Sequence, residues 1–403
     1  MSIIQEDKMS INDIIEKLIE KNNRREAFCA YIYDLKQLRK HASSIKKSLP
    51  PFCRLFYAMK ANPDKRILKV LDEIVDGFEA ASAGEVRTAK AISKKPIIFG
   101  APAKKDYELE LIVKGETELA NIESFHDANR LQYLAELAQK NVSIVVRVNL
   151  QDNVSNSYLK MSGVPTQFGV DEQDIPQLLK KLSLSPNLEV KGFHFHAMSN
   201  NLDAEAHVRF IGLCLEKAME WQKKYGISAS VVNVGGGVGI NYINPEVPFD
   251  WNALSKGLHN LYERYRSNGI ELIIEMGRYM VAESGFYAAE VIDVKVNHGE
   301  GFALIRGGSH HLRLPAAWKM NQPFTVLQIA KWDFPFERPI MKNQEVSIAG
   351  ELCTPNDILA KNVPIKEIRA GDVVVFQFAG AYGWTISHHD FLSHPHPEVY
   401  YYE

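Results

Sequence analysis

Cysteine is scarce in this chain of 403 residues: Cys29, Cys53, Cys214 and Cys353 stand far apart, with no C-x-x-C pair. That spacing excludes a disulfide framework and suggests no zinc site, so no structural metal is expected. No apolar run approaches the length of a membrane span, and the start carries no apolar signal-peptide core. The expected compartment is therefore the cytoplasm, with no membrane partner. An excess of charge of one sign is also missing. A formal net charge of -2 gives no reason to expect nucleic acid or a charged membrane surface. There is no internal repeat and no low-complexity linker. A dinucleotide fingerprint is absent as well, because the position five after Gly235 is Ile240 rather than glycine. What remains is a 46 % hydrophobic sequence, normal for a globular protein of one large or two medium domains that acts on small molecules.

Residues 10 to 24 read as an amphipathic helix through Ile11, Ile14, Ile15, Leu18 and Ile19, and Phe28 to Tyr33 as a strand entering a second helix through Asp34. From Arg54 short apolar strands alternate with helix-length segments: 54–59, 77–81, 97–100, 119–122, 143–149, 189–196, 230–235 and 271–275. Eight such strands over roughly 230 residues predict an α/β fold, a parallel (β/α)8 barrel, with a doubly wound sheet as the competitor. After Arg278 the pattern turns to short strands with turn signals (Phe286–Val296, Phe302–Ile305, Phe324–Lys331, Gln344–Ala349, Asp372–Phe378) and almost no helical periodicity. This predicts a C-terminal β-sandwich or small β-barrel that the N-terminal strand joins. The expected division is a barrel over 35–280 and a β-rich domain built from 1–34 and 281–403.

Polar groups gather where barrel strands end, which is where barrel chemistry lies. Tyr57-Ala58-Met59-Lys60-Ala61-Asn62-Pro63 delivers Lys60 to the end of strand one. Apolar neighbours strip solvent from its ammonium and favour a free amine able to form a Schiff base; a surface lysine at a strand end is the plain alternative. Strand two ends in Glu79-Ala80-Ala81-Ser82, and strand five carries Arg147. Gly235, Gly236, Gly237 and Gly239 close strand seven, where successive N–H groups can nest a phosphate. Arg278 beside them supplies a cation. His194 and His196, two apart on strand six, share a face: two metal ligands, or one ring lying flat on an aromatic ligand. Glu275 ends strand eight, placed to hold a proton on a ring nitrogen. Lysine, phosphate nest, stacking ring and carboxyl together specify pyridoxal 5'-phosphate.

These motifs resemble the fold-type III pyridoxal-phosphate decarboxylases, which include diaminopimelate, ornithine and arginine decarboxylases and are related to alanine racemase. Tyr57–Asn62 resembles their lysine motif and Ala81-Ser82-Ala83-Gly84-Glu85 their second-strand signature. Phe195-His196-Ala197-Met198-Ser199 resembles the stacking-histidine motif, with Met198 where glycine is usual. Gly235–Gly239 and Glu275-Met276-Gly277-Arg278 resemble the phosphate and ring-nitrogen motifs, with Met276 where proline is common. Gly350–Asp357 resembles the cysteine motif and Gly380-Ala381-Tyr382-Gly383 the tyrosine motif. The resemblance implies a homodimer with shared active sites, in which Cys353 of one chain serves Lys60 of the other. It further implies catalysis by Lys60 and Cys353, with Ser199, Gly277, Arg278 and Tyr382 assisting His196, Gly235, Gly236, Gly237 and Glu275 in holding the cofactor.

In that family the residue after the cysteine reads the far end of the substrate, as aspartate for ornithine or glutamate for diaminopimelate. Here it is uncharged Thr354, among Arg306, His310, His311, Arg313, His388, His389, His394 and His396. A site without that carboxylate has lost its means of favouring a distal ammonium. The chain thus resembles the carboxylate-siderophore branch, which implies a citrate-conjugated diamino acid such as citryl-L-2,3-diaminopropionate as substrate, contacted by Arg313, Thr354, Tyr382 and His310. The alternatives are a diaminopimelate or basic amino-acid decarboxylase, a metal-dependent barrel hydrolase and a non-catalytic regulator.

Overall fold

The computed structural model describes residues 3–4, 9–21, 26–151, 159–160 and 163–403. Two compact units are formed, Arg39–Ile240 with Pro248–Met280, and Met1–Leu38 with Asn241–Val247 and Val281–Glu403. The assignment of Asn241–Val247 to the second unit has no signal in the sequence.

In the first unit eight strands run parallel: Cys53–Ala58, Gly77–Ala80, Ile97–Phe99, Leu119–Ile122, Val142–Asn149, Leu188–His194, Val231–Asn233 and Glu271–Met276. The last pairs with the first, Ile274 opposite Leu55, so the sheet is closed and a doubly wound sheet is excluded. Phe56, Ile98, Leu119, Val145, Val231 and Ile273, one from each of six strands, form a core cluster. Apolar side chains on both faces suit strands walled by helices outside and packed inside. Strand six slips register between Val190 and Gly192, and Gly192 takes φ +154 with no room for a β-carbon, which would lie 1.8 Å from the Val231 carbonyl oxygen. Only glycine permits that bulge.

The second unit is a nine-stranded sheet system. Cys29–Asp34 pairs antiparallel with Gly285–Asn297 and parallel with Glu398–Tyr402, which makes the N-terminal strand a member of this sheet. The helix Ile11–Lys21 lays Ile14, Ile15, Leu18 and Ile19 on Ala30, Ile32, Ala288, Leu327, Val373 and Val375. Positions 22–24 of the expected 10–24 helix lie outside the described residues. The expected strand Phe324–Lys331 ends at Leu327, and three strands escaped the sequence reading, Ile3–Ile4, Ile358–Arg369 and Glu398–Tyr402. Ile358–Arg369 hides its period because it contains Pro364, a left-handed Asn362 (φ 51) and register shifts. Two short helices, Arg278–Val281 and Leu314–Trp318, also interrupt the β-rich stretch. No described helix is long and apolar enough to cross a membrane.

Candidate active site

Lys60 is set by the local chain. Strand one stops at Ala58, a 3₁₀ turn covers Met59–Ala61, and the Tyr57 hydroxyl donates to the Asn62 carbonyl at 2.9 Å. Asp64 then caps the helix Lys65–Asp72, its Oδ1 accepting from Arg66 and Ile67 N–H. Tyr57, Ala58 and Met59 are buried as expected, but the Lys60 side chain is 41 % exposed and its Nζ lies 3.2 Å from Glu79 Oε2. The expected desolvation is thus corrected: a carboxylate faces the amine, because strand two ends beside strand one and Glu79 is directed toward it.

Glu275 is buried at the end of strand eight, its Oε1 accepting from Asn233 Nδ2 at 2.7 Å. Burial, then the charge of Glu79, raises its pKa to about 7 against the opposing pull of Lys60, Asn233 and Arg147. His194 Nε2 is 3.7 Å from the same oxygen. His194 accepts from Asn121 Nδ2 through Nδ1 at 2.8 Å in the orientation assigned, and its Nε2 and Asn121 Oδ1 are buried without a hydrogen-bond partner. His196 lies beyond the strand, which ends at His194, and is only half-buried, so the two rings do not share a strand face. Their centroids are 6.1 Å apart. Desolvation, joined by Arg147 at His194 and by Lys60 at His196, lowers both pKa values well below the ordinary one, so both rings are neutral.

The glycine loop is built for close approach. A β-carbon at Gly235 would sit 2.1 Å from His196 Nδ1, one at Gly236 would sit 2.0 Å from the Glu275 carbonyl oxygen, and Gly237 takes φ +106. Not every amide of the expected nest points outward. Gly235 N–H goes to Asn233 Oδ1, Gly236 N–H to His196 Nδ1 and Gly239 N–H to the Asn201 carbonyl. The His196 loop and the glycine loop are also laced by Asn201 N–H to the Gly237 carbonyl and by Asn200 Oδ1 accepting from Ile240 N–H. Ser199 sits on the short strand Met198–Ser199 of this loop. Gly277 packs on the lysine turn, where a β-carbon would come 3.1 Å from Ala61 Cβ, and Arg278 is buried at the start of a short helix. Ala81–Glu85 proves to be a cap: Ser82 Oγ accepts from Glu85 N–H and Glu85 Oε2 from Ala81 N–H.

Four partners went unassigned in the sequence: Glu79, Arg147, Glu123 and Asn233. Arg147 Nη1 contacts both oxygens of buried Glu123 at 3.0 and 3.1 Å and its guanidinium lies over Phe168, 4.5 Å from the ring centroid. All four stand in the last residues of a barrel strand or directly after it, and that position was the available signal.

The other candidates lie in the β-rich unit, in three interlaced loops. Glu351 Oε1 accepts from Gly307 N–H, and Glu351 N–H returns to the Gly307 carbonyl. Buried Asp357 accepts from Ser309 and Leu352 N–H, tying His310's loop to that of Cys353 and Thr354. Arg313 is exposed, with its backbone N–H donated to Ser387 Oγ, which is 2.8 Å from the Gly383 carbonyl. His310 is fully buried and Cys353 is exposed as a free thiol. Tyr382 holds φ +52, a conformation a tyrosine rarely takes and one that marks functional turns.

The barrel residues fit pyridoxal phosphate. They offer an accessible amine, a glycine cradle closed to any β-carbon, a neutral imidazole, and a buried carboxyl able to share a proton with a ring nitrogen. His194, His196 and Glu275 also bring one ligand atom each within 4.8 Å, so the geometry alone admits a metal. The comparisons decide for the cofactor. Residues 35–282 match the pyridoxal-dependent decarboxylase family, pyridoxal binding domain. The chain is 41 % identical over 392 residues, 96 % of its length and 98 % of the relative's, to the 2-[(L-alanin-3-ylcarbamoyl)methyl]-2-hydroxybutanedioate decarboxylase of Staphylococcus aureus. It is 28 % identical to the L-glutamyl-[BtrI acyl-carrier protein] decarboxylase of Niallia circulans, over 91 % of this chain and 87 % of that one. In fold it resembles diaminopimelate decarboxylase from Helicobacter pylori complexed with L-lysine, at a TM-score of 0.84 and 24 % identity, covering 96 % and 94 % of the two chains. The chain belongs to the pyridoxal-dependent decarboxylases and is a pyridoxal-phosphate carboxy-lyase of fold type III.

Proposed function

We propose that this enzyme decarboxylates citryl-L-2,3-diaminopropionate in the assembly of a carboxylate siderophore. The observation that carries the reading is the 41 % identity, across nearly the whole of both chains, to the Staphylococcus aureus enzyme. That enzyme's named substrate is the amide of citrate with the 3-amino group of L-2,3-diaminopropionate, which leaves one α-amino acid end and two distal carboxylates. The β-rich unit supports the same substrate. Thr354 brings no charge, and three acids of these loops are engaged: Asp357 holds backbone amides, Glu351 accepts from the Gly307 N–H at 2.8 Å, and Asp390 faces His396 at 3.0 Å. A distal ammonium would therefore stay unpaired, which disfavours ornithine or diaminopimelate. Arg313 is the cation for a distal carboxylate. A cytoplasmic location belongs to the reading and suits the free thiols of all four cysteines.

Lys60 would hold the cofactor through its amine. The amides of Gly237 and Val238, with Arg278, Ser199 and Tyr382, would hold the phosphate, and neutral His196 would supply a face for the ring. Glu275 would hold a proton at the ring nitrogen, and the Asn233 amide, donating to Oε1 at 2.7 Å, keeps its carboxyl oriented. When bound, pyridoxal phosphate takes up the electron pair left as carbon dioxide departs. Cys353 Sγ, from the partner subunit, then delivers a proton to the substrate's α-carbon.

Carbon dioxide release from a panel of free and citrate-conjugated diamino acids tests the substrate. The conjugate is expected to turn over faster than free ornithine, lysine or diaminopimelate. Arg313→Gln is expected to raise its KM roughly ten- to hundredfold with cofactor content unchanged. Faster turnover of a free diamino acid overturns the substrate while leaving the family in place.

The shared site has its own test. Inactive Lys60→Ala and Cys353→Ala dimers, mixed and allowed to exchange, are expected to regain roughly a quarter of wild-type activity, since half the dimers become hybrids with one intact site of two. No recovery after proven exchange places both residues in one chain's site.

A further inference from the structure

The loop that follows the tyrosine motif carries a second group of ligating side chains. His389, Asp390 and His396 each offer one ligand atom, all within 4.8 Å of one another. His396 Nε2 is 3.0 Å and His389 Nδ1 3.7 Å from the same oxygen, Asp390 Oδ1. In a four-coordinate zinc site with bonds of about 2.0–2.1 Å, neighbouring ligand atoms stand ~3.3 Å apart, so small side-chain rotations close this triangle on an ion. Both rings are oriented by one indole: Trp384 stacks on His389 at 4.2 Å and 20° and meets His396 edge-on at 4.8 Å.

A surface ion pair between His396 and Asp390 would explain their contact alone. It leaves His389 Nδ1, which is shielded from solvent and has no hydrogen-bond partner. An imidazole nitrogen withdrawn from water costs stability unless a proton donor or a metal meets it.

We propose that His389 Nδ1, Asp390 Oδ1 and His396 Nε2 form a site for a divalent transition metal of the zinc class, with a fourth position open to water. Two imidazoles and one carboxylate select zinc, cobalt, nickel or copper over magnesium and calcium, which take oxygen sets. Openness follows from exposure, since the Asp390 side chain is 84 % and that of His396 51 % accessible.

The test titrates tag-free, cofactor-loaded enzyme with zinc by calorimetry, and with cobalt followed by its visible absorption. Expected is one ion per chain, with a dissociation constant on the order of micromolar or tighter. His389→Ala and His396→Ala should each weaken binding roughly tenfold or more. His394→Ala should leave it unchanged, because that ring faces Glu351, 3.7 Å away, instead of this group. Asp390→Asn alters only an exposed side chain, so it repeats the test without touching a packed ring. Lack of saturable uptake, or uptake undiminished in the His389 and His396 variants, overturns the proposal.

Discussion

Lys60→Ala is expected to lower decarboxylation by on the order of ten-thousandfold or more, because it removes the amine to which the proposed function gives cofactor attachment. Folding should survive. Lys60 is 41 % exposed on a 3₁₀ turn, and the groups that fix the turn, Tyr57, Asn62 and Asp64, are left untouched. The purified variant should lose the yellow colour of the covalently held cofactor, and borohydride should fix none to the chain. Retention of a borohydride-stable adduct by the variant would place the attachment at another lysine, Lys104 being the buried one in this unit.

Glu275→Gln is the second large effect, about a hundredfold or more in kcat. The amide keeps the shape and a hydrogen bond to Asn233, while it has no ionisable proton to hold at the ring nitrogen. Lys60 and the glycine loop remain, so the variant should stay yellow, which separates this role from one in cofactor retention. Stability gives an independent reading in cofactor-stripped enzyme. The folded-state pKa of Glu275 is raised from 4.5 to about 7, so between these values the native protein binds more protons than the unfolded chain. Stability must therefore fall as pH climbs through that window, by about 3 kcal/mol for one fully buried carboxyl. Urea midpoints against pH should show the fall in wild type and a flatter profile in Glu275→Gln. Parallel profiles would overturn the assignment of this titration to Glu275.

The barrel was legible because its strands announce themselves as apolar runs separated by helix-length segments, most of them ending in a polar group. Lys60, His196, Gly235 and Glu275 could all be found from that pattern. What the pattern cannot carry is pairing across strands. Glu79 was visible at the end of strand two, yet its contact with Lys60 depends on strands one and two being neighbours in the closed sheet. Arg147 and Glu123 meet for the same reason, strands four and five lying side by side. His194 and His196 misled through period: alternation put them on one face, but the strand ends between them and His196 turns to the glycine loop. In the β-rich unit, Ile358–Arg369 was lost because proline and a left-handed asparagine break the alternation that marks a strand.

The loop that bears Thr354 takes its shape from elsewhere. Asp357, buried beneath it, fastens it to Ser309 and Leu352, and the Thr354 side chain adds one bond, its hydroxyl accepting from the Asn356 N–H at 3.3 Å. Aspartate makes the same two-residue turn through its carboxylate. Position 354 can thus exchange a neutral side chain for an anionic one with the backbone left in place. Under the proposed function a change of substrate preference there asks for no refolding of the loop, and Asp357 is the residue that keeps the loop's shape independent of it.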